Sequence, residues 1–354
     1  MASISTISSP SKKSGAFSLR GIPLNSPRLW IPQPTESQPL EDNLSLHAEV
    51  SLLGTLKWRM LFAVPTGVRG LSMAAGLILI GMGPGGVSGM TVAAVNAAKN
   101  ADHRRYEAYT ALWSDENLAE LEAEIGDIQR VMRPEVEDPV DLLQLAKNET
   151  VALLVVGDPL QATTHVDLQL QASEAGVECT VIHGISITGL VTGSIGLSNY
   201  RFGRQTTLTY PYGGWIATSP LEVIALNRIQ GLHTLALLDL DPTGEGTGGQ
   251  IPMQPTDAAN SMFLMADKLS DIIDEMPEDT NLKRLKVDAC KAICDNISNL
   301  MVVLCTDMGT PDQNIAYLPL SELSDAETGR LHCLVIPAEP GDVELSALNR
   351  WGKK

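Results

Sequence analysis

Aromatic residues are scarce in this chain, at 4% of 354 positions, so its apolar content rests mainly on Ala, Leu, Val and Gly. That balance suits helices laid over a parallel sheet. Basic residues are also few, 25 against 42 acidic, for a net charge of −17. A field of that sign repels phosphate backbones and anionic lipid, which argues against nucleic-acid binding and membrane docking. No uncharged apolar run reaches the roughly 18 residues of a membrane-spanning helix. Cysteine is sparse and odd in number: Cys179, Cys290, Cys294, Cys305 and Cys333. Cys290 and Cys294 stand one helical turn apart, but no further pair of ligands lies at zinc-site spacing, so no metal is expected. All five read as small buried or half-buried apolar residues in a reducing cytoplasm.

What remains is a chain with 44% hydrophobic and 19% charged residues, enough to bury a substantial core. Its first 72 residues stand apart. They hold seven basic and four acidic residues, a balance of +3 that leaves −20 for residues 73–354. The first 40 are rich in Ser and Pro and lack apolar periodicity. This extension reads as disordered, as a targeting segment, or as residues upstream of a true start at Met73. We favour the last.

From Gly76 onward, strand and helix alternate. Residues 76–80 (GLILI) and 151–156 (VALLVV) are apolar runs stopped by glycine, the pattern of buried strands. Helices are expected over 90–101, 117–124, 139–148 and 163–175, with a strand at 178–182. The alternation predicts a parallel sheet with helices on both faces. A second half follows, with strands at 206–210, 234–239, 301–306 and 331–337. Its helices are expected at 221–230, 256–269 and 283–296.

Ligands in open α/β sheets bind beyond the carboxyl ends of strands, which singles out four places. Gly81-Met82-Gly83-Pro84-Gly85-Gly86 follows the first strand, and its glycines allow close backbone approach. It is not read as the dinucleotide fingerprint, because an acidic residue closing a next strand at the usual distance is missing. Asp158, Gln161 and Thr163 follow VALLVV; Asp158 could accept from a ribose hydroxyl or an ammonium, or cap the next helix. His165 nearby reads as structural. Ser186 and Thr188 follow the 178–182 strand and could donate to a ligand or cap a helix. The fourth is Asn227-Arg228 with Gly231-Leu232-His233-Thr234, leading into LALLD.

Together these stretches resemble the diphthine synthase family, within the methyltransferase class that also contains the tetrapyrrole methylases. The resemblance is carried by LILIGMGPGG, YEAYT (106–110), LLVVGDPLQATTH, VIHGISI, NRIQGLHTLALLDLD and RLHCLVIP, collinear over about residues 76–340. It implies an α/β fold of two α/β domains, 76–184 and 188–345, with folded S-adenosylmethionine in the cleft between them. By motif, the cofactor-binding positions are Pro84, Asp158, Gln161, Ser186, Ile187, Leu238, Met308 and His332. Pro84 stands where an aliphatic residue is usual, Gly86 where Asp is frequent, and Gln161 where a small residue is common. The implied reaction is repeated methylation of the amino group of 3-amino-3-carboxypropyl-histidine on translation elongation factor 2, by a cytoplasmic homodimer. Some members also esterify the carboxylate. Tyr109 and Glu107 are candidate proton acceptors near the cleft, although packing explains them equally well, so no catalytic base is named. The competing readings are a precorrin-type methyltransferase with a small acceptor and a non-catalytic binder of adenosyl ligands.

Overall fold

The structure, a computed structural model, describes residues 74–352. The expectations for residues 1–72 and for a start at Met73 lie outside the described residues. Strand β1 (Gly76–Gly81) is buried along its whole length, and its side chains divide by parity. Ile78 and Ile80 pack with Ala94, Ala97, Ala98 and Leu121, while Leu77 and Leu79 pack with Leu142, Leu143 and Leu168. Both faces of the strand are therefore covered, which is why its sequence is continuously apolar rather than alternating.

Helix α1 (Val92–Asn100) starts at Thr91, whose hydroxyl accepts the Ala94 N–H at 3.1 Å. Its end is closed by Arg104, whose guanidinium donates to the carbonyls of Ala98, Lys99 and Ala101 at 2.8–3.1 Å. Those are the carbonyls a helix leaves without partners. Arg104 belongs to strand β2 (His103–Glu107), which the sequence reading missed. Three of its first four residues can carry positive charge, and only Tyr106 and Glu107 are buried.

Helix α2 (Asp115–Ile125), strand β3 (Gln129–Val131), and helices α3 (Arg133–Glu137) and α4 (Val140–Ala146) lead to strand β4 (Thr150–Val155). Helix α5 (His165–Glu174) then connects to β5 (Cys179–Ile182). These strands form one sheet in the order β3-β2-β4-β1-β5, and every pairing is parallel.

Ser186 caps α6 (Ile187–Ser194), its hydroxyl accepting the Thr188 N–H at 3.2 Å. The second half then runs β6 (Thr206–Leu208), α7 (Ser219–Ile229), β7 (Thr234–Leu238), α8 (Pro255–Ile272) and α9 (Asn281–Asp295). It finishes with β8 (Met301–Thr306), β9 (Asn314–Pro319), β10 (His332–Ile336) and α10 (Asp342–Leu348). The second sheet has the order β6-β7-β10-β8-β9 and is mixed: only β6 and β7 run parallel, and the other pairs are antiparallel. The short connection from β8 to β9 permits only an antiparallel neighbour. Helices α7, α8 and α9 cover one face, and α6 and α10 cover the other.

The Asn227-Arg228…His233-Thr234 string lies in this scaffold. Asn227 donates to Arg204 O at 2.8 Å and to Thr234 Oγ1 at 2.9 Å, and Arg228 donates to Pro337 O. The Ala338 N–H donates to His233 Nδ1 at 3.1 Å, so the ring proton is on Nε2, facing Glu344 Oε1 at 3.2 Å. Burial lowers the pKa of His233, in keeping with a neutral ring. Glu344 also accepts from Arg201 and from the Ser198 and Gly341 N–H groups. Burial alone would raise its carboxyl, but these bonds bring it down to about 2. The motif fastens the α7–β7 corner to α10.

Candidate functional site

A cavity of about 650 Å³ opens beyond the carboxyl ends of β1, β2, β4 and β5 on one side and of β7 and β8 on the other. That volume falls within the range of roughly 300–1,000 Å³ usual for small-molecule sites. Three glycines bring the first side together. A Cβ on Gly81 would stand 2.3 Å from Gly184 N, and one on Gly184 would stand 2.2 Å from Gly157 O. Backbone thus packs on backbone where β1, β4 and β5 end. Gly83 and Gly157 also exchange N–H···O bonds of 3.0 and 3.1 Å.

The loop after β1 is gripped from two directions. Trp113 Nε1 donates to Gly83 O at 3.1 Å, and Asn117 Nδ2 donates to Gly85 O at 3.1 Å. Opposite, a Cβ on Gly85 would lie 2.1 Å from Gly309 O, in the loop after β8. These glycines therefore serve contact between loops as well as any approach of a ligand. Pro84 lines the cavity at this junction.

All eight positions named from the sequence border this one cavity. Asp158 is nearly inaccessible, and its carboxylate is already engaged. Oδ1 accepts from Leu160 N at 3.0 Å, while Oδ2 accepts from His183 Nδ1 at 2.8 Å and Gly184 N at 3.3 Å. It clamps the ends of β4 and β5 together. Gln161 joins the same wall, its Oε1 accepting from Thr188 Oγ1 at 2.5 Å. Ser186 and Ile187 open α6, Leu238 closes β7, and Met308 follows β8. His332 begins β10, and its Nε2 accepts the Gly329 N–H at 2.9 Å. Burial lowers its pKa against the opposing pull of Asp307, leaving a neutral ring.

His165 is buried at the start of α5 and donates from Nδ1 to Pro159 O at 2.9 Å. Burial lowers its pKa too, and it holds the Asp158–Thr164 loop rather than facing the cavity. The first sheet also corrects the reading of the glycine loop. The strand that pairs beside β4 does end in an acidic residue, Glu107. Its side chain, however, lies behind the cavity wall, where Oε1 accepts the N–H of Thr110 at 2.8 Å and also its hydroxyl. Burial pushes this carboxyl up to about 7 despite those bonds. Tyr109 lines the cavity, and burial, then the charge of Glu107, raises its phenol above the ordinary value.

Several lining residues escaped the sequence reading: Trp113, Asn117, Arg133 and Tyr212. Asp239 holds Tyr212 by accepting its hydroxyl. Asp241 accepts from Thr243 and Gly246 and so shapes the loop after β7; these bonds outweigh burial and lower its pKa. Among the described residues, no group of three or more His, Cys, Asp or Glu side chains is arranged to hold a metal ion. No described helix is long and apolar enough to cross a membrane.

One parallel and one mixed sheet share this cavity at their strand ends, an arrangement that agrees with the methyltransferase class of the tetrapyrrole methylases. Residues 76–324 match the family model described as Tetrapyrrole (Corrin/Porphyrin) Methylases. Within that class the chain belongs to the diphthine synthase family of S-adenosylmethionine-dependent methyltransferases. It is 34% identical to the diphthine synthase of Halorubrum lacusprofundi over 77% of this chain and 95% of that one. The diphthine synthase of Haloquadratum walsbyi is 31% identical over 77% of this chain and 93% of that one. A crystal structure of diphthine synthase superposes with a TM-score of 0.63 at 27% identity, covering 78% of this chain and 95% of that one.

Proposed function

We propose that this enzyme transfers methyl groups from S-adenosylmethionine, repeatedly, to the amino group of 3-amino-3-carboxypropyl-histidine on translation elongation factor 2. The observation that carries the reading is the convergence of all eight motif positions on one cavity, although they are spread over more than 240 residues of sequence. The lining suits the cofactor. Ile187, Leu238 and Met308 offer apolar surface for an adenine and a methionine chain, while Ser186 and Gln161 offer polar atoms. Because Asp158 is committed within the protein, its role is to fix the loop that meets the cofactor. The two α/β domains are 76–184 and 188–345, and the enzyme acts as a cytoplasmic homodimer.

The cofactor supplies a methyl group on a sulfonium, a good leaving group, so the transfer asks the protein for alignment and exclusion of water. The glycine-packed loops hold the two walls at fixed separation. Neither candidate acceptor named from the sequence serves as the base: the Tyr109 phenol is held protonated by burial, and Glu107 is turned away into its bonds with Thr110. The proton lost by the acceptor amine passes to water.

The test is methyl transfer from labelled S-adenosylmethionine to elongation factor 2 carrying the unmethylated intermediate, read by mass. Stepwise gain of single methyl masses on the modified histidine is expected. Cofactor binding without any gain would reassign the acceptor.

A further inference from the structure

The eight motif positions occupy only part of the cavity. Pro84, Asp158, Gln161, Ser186 and Ile187 follow β1, β4 and β5, one edge of the first sheet. The other edge, β3-β2, supplies Tyr109 and Arg133 to the same cavity, and β6, the edge strand of the second sheet, leads to Tyr212. Apart from Leu238, which adjoins the Asp239 that holds Tyr212, the cofactor motifs leave these residues unassigned, which makes them the candidates for meeting an acceptor.

Arg133 is built into the cavity wall. Its backbone N–H donates to Gly246 O at 3.2 Å, and a Cβ on Gly246 would lie 2.6 Å from Arg133 Nε, so the loop after β7 is laid directly over the side chain. The guanidinium carbon stands 5.3 Å from the centroid of the Tyr109 ring. Among the described residues, its only carboxylate partner within 4 Å is Glu137, a partly exposed ion pair at 3.7 Å, too long for a good hydrogen bond. Nε is shut beneath Gly246 without a partner, so the terminal nitrogens are the donors a ligand can reach. Terminal guanidinium donors oriented by a ring and only loosely paired at the wall of a cavity match a carboxylate. Arg330 also lines the cavity, but it adjoins His332 near Met308, at the end given to the cofactor.

We propose that Arg133 binds the carboxylate of the acceptor's amino acid group and so presents its amine to the methyl donor. The proposal rests on the acceptor assigned above. It makes Arg133 a specificity residue: the enzyme requires an amine that carries a neighbouring carboxylate, and a neutral amide there is a poor substrate.

The experiment compares wild type, Arg133→Gln and Arg133→Lys on two acceptors, elongation factor 2 bearing the 3-amino-3-carboxypropyl group and the same protein with that carboxylate converted to its amide. Wild type should prefer the carboxylate form by about 10- to 100-fold in kcat/KM, as for loss of one charge-assisted hydrogen-bonded pair. Arg133→Gln should lose this preference through a raised KM for the carboxylate form, with the Kd of S-adenosylmethionine unchanged within about twofold. Arg133→Lys should keep part of it. A preference retained in Arg133→Gln, or cofactor affinity falling in parallel with acceptor affinity, overturns the proposal alone. Failure of wild type to methylate either acceptor overturns the assigned function and this inference with it.

Discussion

Replacing Glu107 by Gln should stabilise the protein in alkaline buffer and leave it unchanged in mild acid. The carboxyl is inaccessible, one oxygen accepts twice from Thr110, and the other has no partner. Burial raises it from an ordinary 4.5 to about 7. A carboxyl held above its unfolded value favours the fold while protonated. That advantage is complete below the unfolded pKa and is lost as pH rises through the folded one, here across about 4.5 to 7. The difference corresponds to roughly 3 kcal/mol carried by the ionised form. Glutamine has the shape of the protonated acid: its oxygen can keep both Thr110 bonds, and its amide leaves a neutral group where Oε2 already lacks a partner. Urea unfolding followed by circular dichroism should therefore give matching stabilities at pH 5. At pH 8.5 the variant should lead by about 2 kcal/mol, on the order of 4–8 °C in Tm. Parallel pH profiles for the two proteins, or a variant less stable at pH 8.5, would refute the reasoning.

Glu344→Gln should behave with the opposite sign. Its carboxyl is held down at about 2, so the stability it adds is present above about 4.5 and lost as pH falls through 2. Unfolding at pH 7 should show a loss of about 2–4 kcal/mol that vanishes in strong acid, as expected when one partner of a buried charged network is removed. Gly85→Ala places a methyl 2.1 Å from Gly309 O, a backbone atom that cannot swing aside. Calorimetric titration should show S-adenosylmethionine binding weakened by about tenfold or more, a loss of about 1.4 kcal/mol. Far-ultraviolet circular dichroism should stay unchanged. Asp158→Asn cannot accept from Leu160, His183 and Gly184 as a carboxylate does, and should cost about 1–3 kcal/mol in unfolding experiments.

Strands buried on both faces were legible in the sequence because burial leaves a continuous apolar run, ended by glycine in β1 and β4 and by Asp239 in β7. Strand β2 was not, since His103, Arg104 and Arg105 are half-buried and Arg104 spends its charge on the end of α1. Missing β2 hid the acidic residue at its end. The mixed direction of the second sheet was equally invisible, because strand polarity follows from connection lengths around β9, which was not recognised either. The eight cavity positions were reached through family motifs, not through local chemistry. Taken alone, Ser186 caps a helix as its context suggests, whereas Asp158 does not cap α5, whose cap position is Thr164, but clamps the ends of β4 and β5. Arg133 and Tyr212 went unnoticed because they reach the cavity from the edge strands β3 and β6, each only three residues long. The converse holds for His233, which looked chemical in the sequence and is a buried structural link to Glu344.

The most direct test is a crystal structure of the enzyme with S-adenosylhomocysteine, the demethylated cofactor. The adenosine and the amino acid chain should lie folded among Pro84, Ser186, Leu238, Met308 and His332, leaving the end lined by Tyr109, Arg133 and Tyr212 open. Density for the ligand anywhere else, or across the Arg133 end of the cavity, would contradict the assignment of the two ends.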